Sequence, residues 1–470
     1  MRARLRPRRR ALALLATASV ALAWLGWSAW WERLREQVGR PEPAALDDRW
    51  HDASRVLDRH GTLLRELPTD YGRRGRPLEL EEIGPRLVTA TLVSEDADFY
   101  RHDGIDREAM LRAMQQNLRH GRFVSGASTI TQQLVKLLDS RGVSSERDLS
   151  IKLREAARAQ NLEAELGKPR ILVEYLNRLP YGHGLVGPET AALGYFGVHA
   201  RDLSWAQAAL LAVLPRAPSA LDPYAHLERA LLRQRALLLA LHEQGHLDDA
   251  ALARAQAEPL ELRTLEHPWL APHFVAMLQA EQRLASHGPT TTTLDVRLQH
   301  DVEGLVRTHI AATAEHHARN AAVIVVDNAS GEVLAWVGSA DHDDVAIDGQ
   351  VDMIRARRQP GSTLKPFVVA EALAAGHTGA ELVADVPTEF ALHGATVYAP
   401  GNFDGRHVGP LALREALAAS LNVPMVRLAA ELGPARLLGS LRALGFTSLD
   451  RNAEHYGVAI ALGTGELAQL

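Results

Sequence analysis

The chain has 470 residues, of which 46% are hydrophobic and 23% are charged, so it is long enough to bury two globular cores. Its formal net charge of -5 argues against a nucleic-acid-binding protein, because such domains carry a basic surplus. The absence of cysteine excludes disulfides, thiolate metal sites and a cysteine nucleophile.

The amino terminus has the pattern of a membrane anchor. Six arginines lie within residues 1–10 and precede an apolar run at residues 11–31, which is long enough to cross a hydrocarbon core of ~30 Å. The arginines should stay cytoplasmic, so we predict a single transmembrane helix with the rest of the chain exported. A cleaved signal peptide is the alternative, since Ala21-Leu22-Ala23 has the form of a cleavage site, but the apolar run continues past it.

The remaining chain divides by composition into a helical part and a mixed part. Residues 32–77 form a juxtamembrane segment with a hairpin centred on His60-Gly61, and residues 78–250 are predicted to be helical, with a helical hairpin turning near Gly245. After a linker at residues 251–289, Asp295 has the pattern of a helix N-cap, and two strands follow at residues 321–327 and 332–338. We therefore predict two domains.

Lysine usage marks positions that deserve inspection. Of the 52 basic residues, only Lys136, Lys152, Lys168 and Lys365 are lysines. Arginine does not lose its proton near neutral pH, and its planar head differs from a compact ammonium. A lysine retained in this background therefore indicates a possible chemical need for that group.

The helical part carries acids and cations in a fixed order. Glu95 and Asp96 lie beside aromatic residues, where a desolvated carboxylate can act as a general base. Small and hydroxylated residues then open a helix at residues 126–136, an anion-friendly terminus whose glutamines and lysine suit a diphosphate or a sugar. Taken one at a time, these segments also fit an acidic helix end, a capped helix and a surface ion pair between Lys152 and Glu155.

Together they resemble the glycosyltransferase domain of class A penicillin-binding proteins. A first motif is matched by Glu95, Asp96, Phe99, His102 and Gly104, a second by residues 126–136, a third by Lys152 and Glu155, and two more by residues 171–197 and 208–219. The third motif has Ile151 where the family has arginine, and Leu137 replaces the asparagine that usually follows the lysine of the second motif. The loss of the arginine at Ile151 reduces the positive charge there and leaves the rate or the metal dependence open.

The resemblance implies a mainly α, lysozyme-like domain that polymerises lipid II into glycan strands on the periplasmic face of the bacterial inner membrane. It implies Glu95 as the base, Lys136, Arg147 and Lys152 as cations facing the departing diphosphate, and Glu155 as the group that positions it. The resemblance leaves open whether this site also binds a divalent cation, Mg²⁺ or Mn²⁺. Further substrate contacts are implied for Asp96, His102, Ser128, Gln132, Gln133 and Asn177.

A second constellation begins at Ser362, three residues before Lys365, a spacing that lets a neutral lysine amine accept the serine proton on a helix. With Ser420-Leu421-Asn422 and residues 398–404, it resembles the α+β transpeptidase domain of the same family, and its details resemble the 1C subtype most. The resemblance implies Ser362 as the acyl nucleophile, Lys365 as its base, and Ser420 and Asn422 as proton relay and substrate contact. β-Lactams would acylate Ser362 if the domain were complete.

The third element of that set, Lys-Thr-Gly, is missing. No lysine follows Lys365, and Gly463-Thr464-Gly465 is only a near-match. We therefore expect residues 290–470 to be a transpeptidase domain truncated at its carboxyl-terminal side. Two alternatives to a bifunctional synthase follow: a glycosyltransferase with an inactive remnant, and a non-catalytic scaffold that binds lipid II.

Overall fold

The structure is a computed structural model, and it describes residues 6–39, 46, 51–120, 128–140, 149–265, 267–391 and 397–468. The chain folds as two compact units, each made of segments that are separated along the sequence. The first unit contains Met1–Leu57, Leu63–Trp269 and Arg283–Thr292; the second contains Asp58–Thr62, Leu270–Gln282 and Thr293–Leu470. The units are thus interleaved along the chain, whereas the sequence predicted one boundary region at residues 251–289.

The first unit is mainly helical, as predicted. Its helices are α1 (Arg6–Val38), α2 (Leu80–Ile83), α3 (Pro85–Glu95), α4 (Arg107–His120), α5 (Ile130–Ser140), α6 (Leu149–Arg178), α7 (Pro188–Phe196), α8 (Trp205–Val213), α9 (Pro223–Glu243) and α10 (Asp249–Ala257). Helix α6 is interrupted at Gly167, whose φ of 72° is not helical, with Pro169 two residues later. The predicted hairpin of α9 and α10 is confirmed, with Gly245 in the left-handed region between them.

Two small sheets complete the first unit. One has the order β2-β1-β6, formed by β1 (Ser54–Leu57), β2 (Leu63–Leu67) and β6 (Gly288–Thr291); the other has the order β3-β5-β4, formed by β3 (Arg74–Gly75), β4 (Pro180–Gly182) and β5 (Leu185–Val186). The antiparallel pairing of β1 with β2 confirms the predicted hairpin, whereas the parallel pairing of β1 with β6 was not predicted. That long-range pairing explains why residues 283–292 belong to this unit.

One hydrophobic core supports the helices that carry the motifs. Phe99 of the first motif and Ile130 and Leu134 of the second are fully buried in it, together with Leu176 and Leu210. Fully burying a side chain of this size contributes about 1.5–3 kcal/mol. The two acid- and cation-bearing segments are therefore held in place by the same core.

Helix α1 contacts α6 within the first unit. The Trp31 indole donates to Gln160 Oε1 at 2.7 Å, and the Arg35 guanidinium donates to Asn161 Oδ1 at 3.0 Å. Trp24, Trp27 and Trp30 lie on the same helix and are exposed. In the part of the chain that the structure describes, no helix meets the length and hydropathy required of a membrane span.

Gly104 offers a test of how tightly the first motif packs. Its φ is +91°, and a Cβ there would lie 2.9 Å from the backbone carbonyl of Ala159 in α6. We expect Gly104→Ala to lower the free energy of unfolding by about 3 kcal/mol, because left-handed strain adds to a clash with backbone. Gly72, with a φ of +67° and nothing within 4 Å, is the matched control, and its replacement should cost only about 1–2 kcal/mol. Urea unfolding of both variants measures the difference, and equal losses would contradict close packing at Gly104.

The second unit combines helices with short two-stranded sheets. Its helices are α11 (Pro272–Ala280), α12 (Val296–Ala312), α13 (Lys365–Ala374), α14 (Leu413–Ala418), α15 (Asn422–Leu432), α16 (Pro434–Ala443) and α17 (Ala453–Tyr456). Its strands are β7 (Val323–Val326), β8 (Val333–Val337), β9 (Leu382–Asp385), β10 (Phe390–Ala391), β11 (Val397–Tyr398) and β12 (Gly409–Ala412), which pair as β7-β8, β9-β12 and β10-β11. Asp295 caps α12 as predicted, since its carboxylate accepts from the backbone N–H groups of Arg297 and Leu298.

Candidate active sites

Glu95 is the last residue of α3, where the helix ends and its side chain reaches a partly buried position. The Gln133 amide donates to Glu95 Oε2 at 3.0 Å from the first turns of α5. Burial raises the pKa of the Glu95 carboxyl, although the hydrogen bond from Gln133 and the charge of Arg216 act in the opposite direction. A raised pKa improves the carboxylate as a proton acceptor.

Asp96 joins the first motif to the second. Its buried carboxylate lies 3.0 Å from His102 Nε2 and accepts from the backbone N–H of Ile130 at 2.9 Å. The Ile130 N–H is one of the otherwise unpaired donors in the first turn of α5. Asp96 and His102 were both predicted as substrate contacts; in the structure they bind each other, and Asp96 also binds the start of that helix.

The start of α5 is a capping box formed by Thr129 and Gln132. Gln132 Oε1 accepts from the backbone N–H of Thr129 at 2.9 Å, and Thr129 Oγ1 accepts from the N–H of Gln132 at 3.2 Å. The Thr129 hydroxyl also donates to the Gly104 carbonyl at 2.7 Å. The carbonyl end of the Gln132 amide, which sequence assigned to the substrate, thus serves the helix terminus.

The predicted cations are placed as follows. Lys152 is exposed on α6, with its ammonium 3.5 Å from the Ser128 hydroxyl, and Lys136 is half-buried on α5. Glu155 is half-buried one turn after Lys152. Arg147 lies outside the described residues, as do Gly126 and Ala127. Lys152 and Ser128 are therefore brought together at the amino-terminal end of α5.

Sequence reasoning did not single out Arg216 or Tyr175, although both lie inside the quoted motifs. Arg216 ends a 3₁₀ turn at Leu214–Arg216, and its charge lowers the pKa of Glu95. The Tyr175 hydroxyl, on α6, donates to Gln133 Oε1 at 3.0 Å. A cation inside a motif segment was the signal available for Arg216, whereas nothing in the pattern distinguishes Tyr175 from a core residue.

The Asn177 side chain is hydrogen-bonded to the backbone of Leu78. Its Oδ1 accepts from the Leu78 N–H at 3.0 Å, and its Nδ2 donates to the Leu78 carbonyl at 2.8 Å. The side chain is buried, so both ends of the amide are used by the segment that leads into α2. Its predicted substrate contact would require these two bonds to be shared or broken.

Lys168, one of the four lysines, contacts other side chains of the first unit. Its ammonium pairs with Glu163 and lies 4.3 Å from the centroid of the Phe99 ring. The Glu163 carboxylate also accepts from the Thr131 hydroxyl at 2.7 Å. Lys168 therefore links α6 to both the first and the second motif, and a compact ammonium suits the position above the ring.

In the second unit, Ser362 lies in a 3₁₀ turn at Gly361–Leu364 that leads directly into α13, where Lys365 is the first residue. Ser362 is exposed, whereas Lys365 is buried. The Lys365 ammonium donates to the Ser420 carbonyl at 2.5 Å, to the Ser420 hydroxyl at 3.1 Å and to Asn422 Oδ1 at 2.7 Å. The structure therefore brings Lys365, Ser420 and Asn422 together.

Two features make this cluster chemically unusual. Burial lowers the pKa of the Lys365 ammonium, which favours the neutral amine that a proton acceptor requires. Ser420 has a φ of 52°, in the left-handed region that non-glycine residues rarely occupy. Backbone strain of this kind concentrates at functional sites.

A buried carboxylate lies behind the cluster. Asn402 Oδ1 accepts from the backbone N–H of Asn422 at 2.8 Å, and its Nδ2 donates to Asp385 at 2.8 Å. Asp385 also accepts from the backbone N–H of Val408 at 2.8 Å. Asp385 and Asn402 thus position the Asn422 side chain that holds Lys365, and sequence reasoning missed Asp385.

The Gly463-Thr464-Gly465 segment packs against the turn that carries Ser362. Gly463 has a φ of +81°, and a Cβ there would lie 2.3 Å from the backbone nitrogen of Gly361. Beyond it, Arg358 and Leu467 exchange backbone hydrogen bonds of 2.8 and 2.7 Å. This segment is therefore a glycine-rich turn that packs against the backbone of the turn carrying Ser362.

Two family models match this chain, one in each unit. The family model described as transglycosylase matches residues 60–242, and the model of the penicillin binding protein transpeptidase domain matches residues 321–460. The chain is 36% identical over 410 residues to penicillin-binding protein 1C of Escherichia coli (strain K12), covering 87% of this chain and 51% of that protein. It is 32% identical over 395 residues to penicillin-binding protein 2D of Bacillus subtilis (strain 168), covering 81% and 56%.

The chain belongs to the class A penicillin-binding proteins. The resemblance found in the motifs is thereby confirmed, and Glu95 and Ser362 each fall inside the expected domain match. The crystal structure of penicillin-binding protein 1A from Haemophilus influenzae shares the fold, with a TM-score of 0.53 at 18% identity, covering 89% of this chain and 66% of that one. The chain spans about half the length of the two curated relatives named above.

The sequence did not decide whether a divalent cation binds near Glu95 and Glu155. Within the described ranges, no group of three or more histidine, cysteine, aspartate or glutamate side chains is arranged to hold a metal ion. Glu155 therefore has no such set of companion ligands there.

Proposed function

We propose that the first unit is a peptidoglycan glycosyltransferase that joins lipid II molecules into glycan strands. The observation that carries the proposal is the partly buried Glu95, whose carboxylate is held by Gln133 and whose pKa is raised by burial. A transferase of this kind needs one base for the acceptor hydroxyl and several cations for the departing diphosphate. The motif segments supply both.

In the proposed reaction, ionised Glu95 takes the proton from the acceptor sugar hydroxyl as that oxygen attacks the anomeric carbon of the donor. The bond from that carbon to the diphosphate breaks, and the leaving group takes the bonding electrons. Lys136, Arg147 and Lys152 stabilise the developing negative charge, and Glu155 positions the diphosphate. Polymer formation from purified lipid II by the full chain tests the proposal.

We also propose that α1 anchors the protein in the bacterial inner membrane, with the bulk of the chain on the periplasmic side. Support comes from the amino-terminal arginines, the apolar run at residues 11–31 and the exposed Trp24, Trp27 and Trp30. A membrane position suits a substrate on a polyprenyl chain. Fractionation of cells that express the chain, with protease added from the outer face, tests this topology.

For the second unit, we propose serine acyl transfer through Ser362 in the cross-linking of stem peptides. The hydroxyl is exposed, and the adjacent Lys365 has a lowered pKa and is held by Ser420 and Asn422. Neutral Lys365 would accept the Ser362 proton while the hydroxyl oxygen attacks a peptide or β-lactam carbonyl. The carbonyl–nitrogen bond of the peptide or lactam then breaks, and the leaving nitrogen takes the bonding electrons and a proton from the Lys365 ammonium.

Fluorescent penicillin is expected to label the chain, and Ser362→Ala should abolish the label because the acylated oxygen is removed. Thr363→Ala is the matched control, since that exposed hydroxyl donates to the Pro360 carbonyl and takes no part in the reaction. Labelled protein in gels and a labelled Ser362 peptide in mass spectrometry are the readouts. An unlabelled wild-type chain would favour a glycosyltransferase alone.

A further inference from the structure

Gln133 stands between Glu95 and a buried tyrosine. Its Nε2 donates to Glu95 Oε2 at 3.0 Å, while its Oε1 accepts from the Tyr175 hydroxyl at 3.0 Å. The two ends of the amide are therefore both engaged, and the glutamine bridges α3 and α6 from its place on α5.

The direction of these two bonds is fixed by chemistry. An ionised carboxylate only accepts hydrogen bonds, so it requires the NH₂ end of the Gln133 amide. Tyr175 is almost completely buried, and burial raises the pKa of its phenol well above the ordinary value, with the charge of Glu95 adding to the effect. The phenol therefore stays protonated and can donate to the Oε1 end.

We propose that Tyr175 is a positioning residue for glycosyl transfer, which holds the Gln133 amide in the orientation that donates to Glu95. This inference rests on the proposed function, because it assigns Glu95 as the base. It also reassigns Gln133, which sequence placed among the substrate contacts, to the orientation of that base. A base fixed at one angle reaches the acceptor hydroxyl more often than one free to rotate.

Several neighbouring groups shift the pKa of Glu95. Arg216 and the Ser94 hydroxyl lower its pKa, whereas the neighbouring Asp96 raises it. The Gln133 hydrogen bond also lowers the pKa, because it stabilises the charged form. Loss of that bond should therefore raise the pKa of Glu95 and move the acidic limb of the rate profile to higher pH.

The test replaces Tyr175 by phenylalanine, which removes one hydroxyl and keeps the ring in the core. We expect kcat for lipid II polymerisation to fall about tenfold, a part of the ~10²–10⁴ that a positioned base supplies, with KM within about twofold. The acidic limb should shift to higher pH. Tyr181→Phe is the matched control, because Tyr181 is equally buried and its hydroxyl has no hydrogen-bond partner among the described residues.

A double-mutant cycle separates positioning from general damage to the core. Gln133→Met removes both hydrogen bonds and should reduce kcat at least as much as Tyr175→Phe. Because Tyr175 acts through Gln133, adding Tyr175→Phe to Gln133→Met should change kcat by less than about twofold. Independent, multiplying effects of the two substitutions would overturn the inference, as would a Tyr175→Phe profile identical to wild type.

A readout without turnover distinguishes this inference from the proposed function. The pKa of Glu95 can be followed by ¹³C-carboxyl NMR in glutamate-labelled full-length protein, with Glu95→Gln identifying the signal. Tyr175→Phe should raise that pKa and Tyr181→Phe should leave it unchanged; equal values in all three proteins would overturn the positioning role. If Tyr175→Phe raises the pKa of Glu95 as expected but the wild-type chain makes no polymer, only the proposed function is contradicted.

Discussion

Glu95→Gln is expected to reduce glycan polymerisation from purified lipid II by about 10²–10⁴-fold, because the amide cannot accept the proton of the acceptor hydroxyl. The substitution keeps the shape of the side chain. It also leaves the Gln133 amide with an oxygen to which it can donate, so the fold should be unchanged. Thermal melting of the variant should therefore coincide with that of wild type.

Glu81→Gln is the matched control for this prediction. Glu81 is an exposed glutamate on α2 in the same unit, and its replacement should leave the polymerisation rate unchanged. A folded Glu95→Gln protein that retains more than about a tenth of the wild-type rate would contradict the assignment of Glu95 as the base.

Asp385→Ala should lower the free energy of unfolding of the second unit by about 3 kcal/mol and abolish labelling by penicillin. The carboxylate is completely buried and accepts from Asn402 and from the backbone of Val408. Its removal leaves buried donors without a partner and frees Asn402 from the position in which it holds Asn422. Urea unfolding and fluorescent penicillin measure the two effects.

Asp404→Ala is the control, since Asp404 lies two residues after Asn402, is exposed, and accepts only from the backbone N–H of Arg406 among the described residues. It should cost less than about 1 kcal/mol and leave labelling intact. Similar losses of stability in the two variants would contradict a special role for the buried carboxylate.

The same carboxylate predicts a pH dependence. Burial alone would raise the pKa of Asp385, but hydrogen bonds from Val408, Asn402 and His407 outweigh it and hold the pKa below its ordinary value. A lowered folded-state pKa stabilises the fold above the unfolded pKa of about 3.9, and that contribution is lost as pH falls further. The stability difference between wild type and Asp385→Ala should therefore shrink below about pH 4.

Much of the architecture followed from sequence because its signals are local. Asp295 caps its helix through its own side chain, and Gly245 turns the helical hairpin through its own backbone. Such features depend on residues only a few positions apart, so periodicity and residue type are enough.

Long-range pairing could not be predicted in the same way. The parallel pairing of β1 with β6 joins segments more than two hundred residues apart, and no local pattern specifies that partner. Asn177 and Gln132 carried motif positions that suggested substrate contacts, yet their amides are used by backbone groups. A polar residue in a motif can serve the scaffold or the substrate, and only its partners in space distinguish the two.

The most direct test of the central claim is polymer formation from purified lipid II by the full wild-type chain in detergent, with and without added Mg²⁺ or Mn²⁺. We expect a ladder of glycan strands on a gel and the release of polyprenyl diphosphate as the strands grow. A folded chain that yields no polymer under any of these detergent and metal conditions would contradict that claim.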